Sequence, residues 1–324
     1  MRVCHVRHSF RPGPRDEREH VGHIGRTRLD DIGAIGLIGP SAVREGSGAR
    51  VSPHLPTALI NHQHQHGRSI SATRGNGGAV AGCRGEFGRS TVGRMADEEL
   101  MRAARLLDAQ AKAARLFAEI GERGLVAPGR GERAVGDRVR DLANELFGTT
   151  RHWHKRIVRS GPNTLMPYRE NPPDRVIGTD DIVFADFGPI FEEYEADFGR
   201  TFVLGGDPVK LRLRDDLPKV FAAGKRFFEE HRDITGKELH AEVERLAGDR
   251  GWELGGWHAG HLVGEFPHER IDGADTESYI TPANATPLRR TDRAGRRCHW
   301  ILEIHLVDRG REFGGFHEEL LTLG

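Results

Sequence analysis

The chain has 324 residues, with 48 basic side chains balanced by 48 acidic ones. That length suits one large domain or two small ones, and the zero net charge gives no general argument for nucleic acid or an anionic membrane as partner. No apolar run approaches the ~18 residues of a membrane-spanning helix, and Cys4, Cys83 and Cys298 form no CxxC pair, which argues against a disulfide framework or a cysteine zinc site.

The balance hides a break. Residues 1–94 carry 14 arginines, no lysine and 7 acidic residues, leaving the remainder net acidic by the same margin of 7. The segment has only two large aromatic residues, Phe10 and Phe87, too few apolar groups to offset the entropy of ordering. It is expected to be a disordered or mis-assigned N-terminal extension, translated upstream of a true start at Met95. The Ile32–Ile38 stretch is too short and glycine-broken for a signal peptide. The His62-Gln63-His64-Gln65-His66 run reads as a solvated polar tract rather than a metal site. The default compartment is the cytoplasm.

From Met95 the pattern is regular. Asp97-Glu98-Glu99 suits the first turn of a helix. Leu100, Ala103, Leu107, Ala111, Ala114, Phe117 and Ile120 follow at helical spacing. A second helix is expected over 132–146, with Val135, Val139, Leu142 and Leu146 on one face. Strands are expected at 154–159, 181–186 and 194–204, with turn chemistry at Gly188-Pro189. The order then repeats: helices over 208–232, with Pro218 placed to kink or restart it, and over 237–250, then strands at 258–264, 300–307 and 315–323. The stretch 265–299 is expected to be an irregular surface excursion. Helix, helix and strands twice over imply an internally duplicated α+β domain spanning 95–324.

The chemistry falls on the strands. Asp186 and Asp197 lie eleven apart across an expected turn, and His261 stands between small residues. Glu303 and Glu318 each sit in or beside an apolar run. Charges inside apolar strands are costly unless paired or bound to a metal. Singly, each residue has an ordinary explanation as a turn residue, a core histidine or half of an ion pair. The ordered set Asp, Asp, His, Glu, Glu is far more specific, and four carboxylates with one imidazole suit two divalent cations.

That set resembles the pita-bread metallopeptidases, the family of methionine aminopeptidase, aminopeptidase P, prolidase and creatinase. Asp197-Phe198-Gly199-Arg200-Thr201-Phe202 is similar to the family's Asp-x-x-Arg-Thr-Phe strand, nearest aminopeptidase P and prolidase, and Gly260-His261-x-x-Gly264 to its Gly-His-x-x-Gly strand. Ser160-Gly161-Pro162-Asn163 resembles the family's approach to its active site. The resemblance implies a pita-bread fold, an antiparallel curved sheet flanked by helices. It implies that Asp197 and Glu318 bridge two ions, with Asp186 completing one site and His261 and Glu303 the other. A water between the ions would be the nucleophile and Glu303 its general base. His268, followed by Glu269, matches a substrate-contacting histidine. The donor set favours manganese, cobalt, iron or zinc over magnesium.

Three departures stand out. Pro167-Tyr168 occupies the place of a family histidine, so the Tyr168 hydroxyl would have to serve as donor. Glu303 is followed by Ile304 rather than proline, and His305 lies two residues on along the same strand face, where it would join the site or be simply a partly exposed histidine. Glu319 rivals Glu318 as last ligand. The expected activity is a dinuclear metal-dependent aminopeptidase, Xaa-Pro aminopeptidase-like, acting on a peptide substrate, with no nucleic-acid or membrane partner and a homodimer left open. The alternatives are a non-catalytic binding protein on the same fold, or a creatinase-like hydrolase of a small C–N substrate, against which the lack of a recognisable extra N-terminal domain weighs.

Overall fold

The computed structural model describes residues 91–268 and 276–323. The expectations for the N-terminal extension, its histidine tract, Cys4, Cys83 and Glu269 therefore lie outside the described residues. Helix α1 spans Thr91–Glu122 and α2 spans Glu132–Phe147. The start of α1 precedes Met95, so Asp97, Glu98 and Glu99 are not in its first turn. Glu99 instead bonds Arg102 and His299. The buried stripe of α1 is Leu106, Ala109, Ala113, Leu116, Phe117 and Ile120, while Leu100 and Leu107 face solvent. In an alanine-rich helix two neighbouring rows are nearly equally apolar, and packing against α2 and the strands selects one. In α2 the expected Val135, Val139 and Leu142 are buried.

Strand β1 is Ile157–Ser160, followed by a 3-10 turn over Gly161–Leu165. Strand β2 is Ile182–Phe187, and a small hairpin pairs β3, Ile190–Phe191, with β4, Tyr194–Glu195. Strand β5 is Phe198–Val203, so the single strand expected over 194–204 is broken at Ala196-Asp197. Helix α3 covers Pro208–Glu230 and runs through Pro218; Asp207 caps its start by accepting from the Val209 and Lys210 amides. Helix α4, Gly236–Gly248, opens with a Thr235–Glu238 capping box. Short β6, Glu253–Leu254, and β7, Leu262–Val263, precede the long strands β8, His299–Asp308, and β9, Phe313–Leu320. The strand expected over 258–264 shrinks to β7 because Gly260 adopts φ +140, and a Cβ there would lie 2.1 Å from the Ile301 carbonyl oxygen.

The main sheet runs β1-β2-β5-β9-β8-β6, antiparallel at every pair, with β7 also paired to β8. The first half of the duplication supplies β1, β2 and β5, and the second supplies β9, β8 and β6. Strand alternation sorts the faces. Val183, Ala185 and Phe187 of β2 pack with α1 and α2, and Leu302, Ile304 and Leu306 of β8 pack with α3 and α4. Burying each of these side chains larger than Ala185 contributes ~1.5–3 kcal/mol. The intervening residues Phe184, Asp186, Glu303, His305, Phe316 and Glu318 line a cavity on the opposite face.

The two halves meet at the β5–β9 seam, where the backbone register is the single pair Gly199↔Glu318. Side chains supply the rest. The Thr201 hydroxyl donates to the Phe316 carbonyl at 2.9 Å and accepts from the Phe316 amide at 2.7 Å. Arg200 donates to the Glu318 carbonyl at 3.1 Å.

Candidate metal centre

Sheet register assembles the site. Asp186 pairs with Gly199, Gly199 with Glu318, and Glu318 with Glu303, so three carboxylates and one glycine form a row across four strands. Directly paired residues share a face, and the row opens onto the cavity, about 730 Å³ in volume. A Cβ at position 199 would lie 2.5 Å from the Phe316 ring and 3.2 Å from Glu318 Cβ, so the glycine makes room for the neighbouring carboxylate. Asp197 enters from the break before β5, and His261 from the residue before β7.

Asp197 is the hub. His261 Nε2 lies 3.1 Å from its Oδ2 and 3.9 Å from Glu318 Oε1. His154 Nε2 lies 3.2 Å from Asp197 Oδ1 and 3.4 Å from Asp186 Oδ1. In each of the triads His154–Asp186–Asp197 and Asp197–His261–Glu318, one donor atom per residue lies within 4.8 Å of the others. Glu303 is paired with His258 Nδ1. The expected five residues thus share one cavity, and two imidazoles that sequence reasoning missed, His154 and His258, stand among them. His154 lies in a turn where a strand was expected, and His258 just before the Gly260-His261 motif.

Glu319, the rival of Glu318, points to the other face, where it pairs with Arg200 and lies 3.5 Å from His317. His268 is fixed by buried Glu195, which accepts from its backbone amide at 3.0 Å and from Nδ1 at 2.7 Å, leaving Nε2 for the cavity. His305 bonds the Thr164 carbonyl at 2.9 Å between the rings of Phe184 and Phe316, and burial lowers its pKa to about 4. It therefore serves as a neutral wall of the cavity. Tyr168 is half exposed at the cavity mouth, with Lys155 Nζ 4.6 Å from its ring centre.

The electrostatics are those of a site short of positive charge. Burial raises Asp186 to about 7 despite the opposing pull of His154. Burial, Asp197 and Asp186 raise Glu318 well above the usual carboxylate range. Burial works against charge on His154 and His261, yet the surrounding carboxylates, Asp186 and Asp197 for the first and Asp197 for the second, lift both to about 9. For Asp197 burial is outweighed by His154 and His261, which hold it below its ordinary value. Asp186 Oδ1 and Glu318 Oε2 are buried with no hydrogen-bond partner. Unpaired, desolvated carboxylate oxygens beside imidazole nitrogens are the donor set a divalent transition metal takes, so the residues present fit such ions.

The sign of the pH dependence follows. Asp186, His154 and His261 all have folded pKa values above their ordinary 3.8 and 6.5, at about 7, 9 and 9. Each contributes stability in full below its unfolded value and loses it as pH rises through its folded value. Asp197 and Glu303, both lowered, act only on the acid side. Chelated protein is therefore expected to lose melting temperature steadily from neutral pH to about 9. Metal-loaded protein should show the opposite slope, since ligands must shed protons to bind. Parallel curves with and without chelator would refute this.

Residues 99–292 match metallopeptidase family M24. The chain belongs to that family. It is 28% identical over 146 residues to the Xaa-Pro dipeptidase of Pyrococcus horikoshii, covering 44% of this chain and 40% of the relative. It is 29% identical to the Xaa-Pro dipeptidase of Pyrococcus furiosus, covering 44% and 41%. The chain thus spans about two fifths of the length of the curated M24 relatives it matches. The prolidase of Thermococcus sibiricus superposes with a TM-score of 0.55 at 22% identity, over 70% of this chain and 57% of that one. The X-Pro aminopeptidase of Thermotoga maritima gives 0.53 at 21%, over 70% and 62%. These structures share the M24 pita-bread fold, as expected. Among the described residues no helix is long and apolar enough to cross a membrane.

Proposed function

We propose that the chain is a dinuclear metal-dependent exopeptidase that releases the N-terminal residue from peptides with proline in second position. The observation that carries this reading is the row of Asp186, Glu318 and Glu303 across four paired strands, with Asp197 and His261 converging on it. Asp186, Asp197, His261, Glu303 and Glu318 would hold two ions of manganese, cobalt, iron or zinc. When bound, such ions polarise a substrate carbonyl and bring the pKa of the attacking water from about 15.7 toward ~7.

The chain's own groups do the rest. Burial opposes ionisation of Glu303, but His258 overcomes it and keeps the carboxylate below its ordinary pKa, so Glu303 is free to accept the proton of the attacking water. His268, fixed by Glu195, offers Nε2 to the substrate. Tyr168 offers a hydroxyl at the cavity mouth. Proline as second residue accords with the Xaa-Pro activities that the relatives are named for.

The test is hydrolysis of Ala-Pro, Ala-Pro-Ala and Ala-Ala by protein loaded with manganese, cobalt or zinc, with a chelated control. Cleavage of Ala-Pro-Ala identifies an aminopeptidase, and cleavage of Ala-Pro alone a dipeptidase. No metal-dependent cleavage of any would sink the reading in favour of a binding protein.

Tyr168→Phe removes one hydroxyl from a half-exposed ring. Turnover is expected to fall about tenfold or more, equivalent to ~1.4 kcal/mol in the transition state, with melting temperature nearly unchanged. Turnover equal to the parent's would show that the hydroxyl does not touch the reacting substrate.

A further inference from the structure

We propose that His154 is a sixth ligand of the metal centre, so that each ion receives one imidazole and one oxygen of Asp197. The proposal rests on the dinuclear reading above and adds a donor that the ordered five-residue set does not contain.

The first argument is symmetry about Asp197. His261 Nε2 lies 3.1 Å from Oδ2 of that carboxylate and His154 Nε2 lies 3.2 Å from Oδ1. Each imidazole has a second carboxylate beside it, Asp186 for His154 and Glu318 for His261. Each of those partners also carries the orphaned oxygen at its corner, Asp186 Oδ1 and Glu318 Oε2. The two corners are chemically equivalent: one imidazole, a shared carboxylate, and a second carboxylate with an unsatisfied buried oxygen.

The second argument is tautomer. His154 Nδ1 lies 2.7 Å from the Lys155 carbonyl oxygen, and His261 Nδ1 lies 2.7 Å from the Leu262 carbonyl oxygen. A carbonyl oxygen only accepts, so Nδ1 must carry the proton. In the neutral ring Nε2 then holds the lone pair, as a metal ligand requires. The same device, a bond to the carbonyl of the following residue, orients both rings.

The third argument is preorganisation. The His154 side chain is 4% exposed. The Trp153 ring packs edge-on against both imidazoles, with centroids 4.5 Å from His154 and 5.3 Å from His261. Trp153 is itself tied by its indole nitrogen to the Ala196 carbonyl at 3.1 Å. A Cβ at Gly188 would stand 2.3 Å from His154 Cδ2, so the turn after β2 is left bare where the ring passes. A histidine that merely neutralised surface acids would not need that clearance. A nitrogen donor on both ions also shifts the pair away from magnesium and toward zinc and cobalt.

The experiment is zinc X-ray absorption on the full chain, loaded with zinc ion alone to its binding stoichiometry, together with calorimetric zinc titration. The parent is expected to take up two zincs with about one imidazole per zinc. His154→Ala and His154→Gln are expected to halve that count and weaken one of the two binding steps at least tenfold while sparing the other. His261→Ala should give the same halving at the other step. Parent protein holding two zincs with about half an imidazole per zinc would overturn the His154 assignment and leave the dinuclear reading intact, and this measurement needs no variant to fold. Unchanged titration and imidazole count in folded His154→Gln would overturn it as well. Parent protein that takes up no zinc would overturn both.

Discussion

Asp197→Asn is expected to abolish metal uptake and peptide hydrolysis together. The substitution keeps the side chain's volume and removes the charge that both imidazoles face, at 3.2 Å from His154 and 3.1 Å from His261. A carboxylate at the hub gives one oxygen to each corner; a carboxamide offers one weak oxygen donor and a nitrogen that cannot ligate. Zinc stoichiometry should fall from two to below one, and turnover by a factor of about 10³ or more, as for groups that act as a unit. Circular dichroism should show the fold retained, because the packing of the two half-cores does not pass through this residue. Hydrolysis at the parent's rate by Asp197→Asn would refute the metal mechanism.

The second large effect is expected at Glu303. Glu303→Gln is isosteric and cannot take a proton. Turnover should drop by about 10²–10⁴, the range associated with general base catalysis, with KM changed much less. Zinc content, measured alongside, separates the two duties proposed for this carboxylate. If both ions stay bound while turnover collapses, proton transfer is the function lost. Turnover within a factor of two of the parent's would remove Glu303 from the chemistry.

The acidic residues of this site were readable from the sequence for a physical reason. Glu303 and Glu318 sit in apolar strands, where an unpaired charge is costly enough to demand an explanation. The choice between Glu318 and Glu319 was not readable, since a one-residue slip exchanges the faces of a strand. The pairing of Glu318 with Gly199 and Glu303 places it on the cavity side and leaves Glu319 to Arg200. His154 escaped notice because it heads the stretch expected as a strand over 154–159, whereas the structure starts β1 only at Ile157 and puts His154 in the bend before it. Its meaning comes from Gly188, thirty-four positions on, which no local pattern connects to it. The buried stripe of α1 differs from the expected one because Leu106 and Leu107 are equally apolar, and only the packing of Leu106 against Val263, Ile301 and Leu320 distinguishes them. Glu195 is one acid among several in Glu192-Glu193-Tyr194-Glu195, and nothing local marks it as the one that holds His268.

The seam between β5 and β9 gives the site a mechanical side. His154, Asp186 and Asp197 come from one half of the duplication, and His261, Glu303 and Glu318 from the other. Ions held among them would rivet two plates across a joint that has one backbone rung, with a threonine hydroxyl and an arginine as its other clasps. Such a joint is the place where the sheet flexes at least cost. Chelation should therefore loosen the molecule locally as well as silence it. Amide exchange at Phe316, whose proton goes to Thr201, should quicken without metal, while amides inside the β8–β9 ladder hold their rates. Equal exchange at Phe316 in both states would mean that the joint is stiff by itself. If it does quicken, bound ions are what draw the two halves of the sheet shut, and the compliance of the joint sets how readily those ions enter and leave.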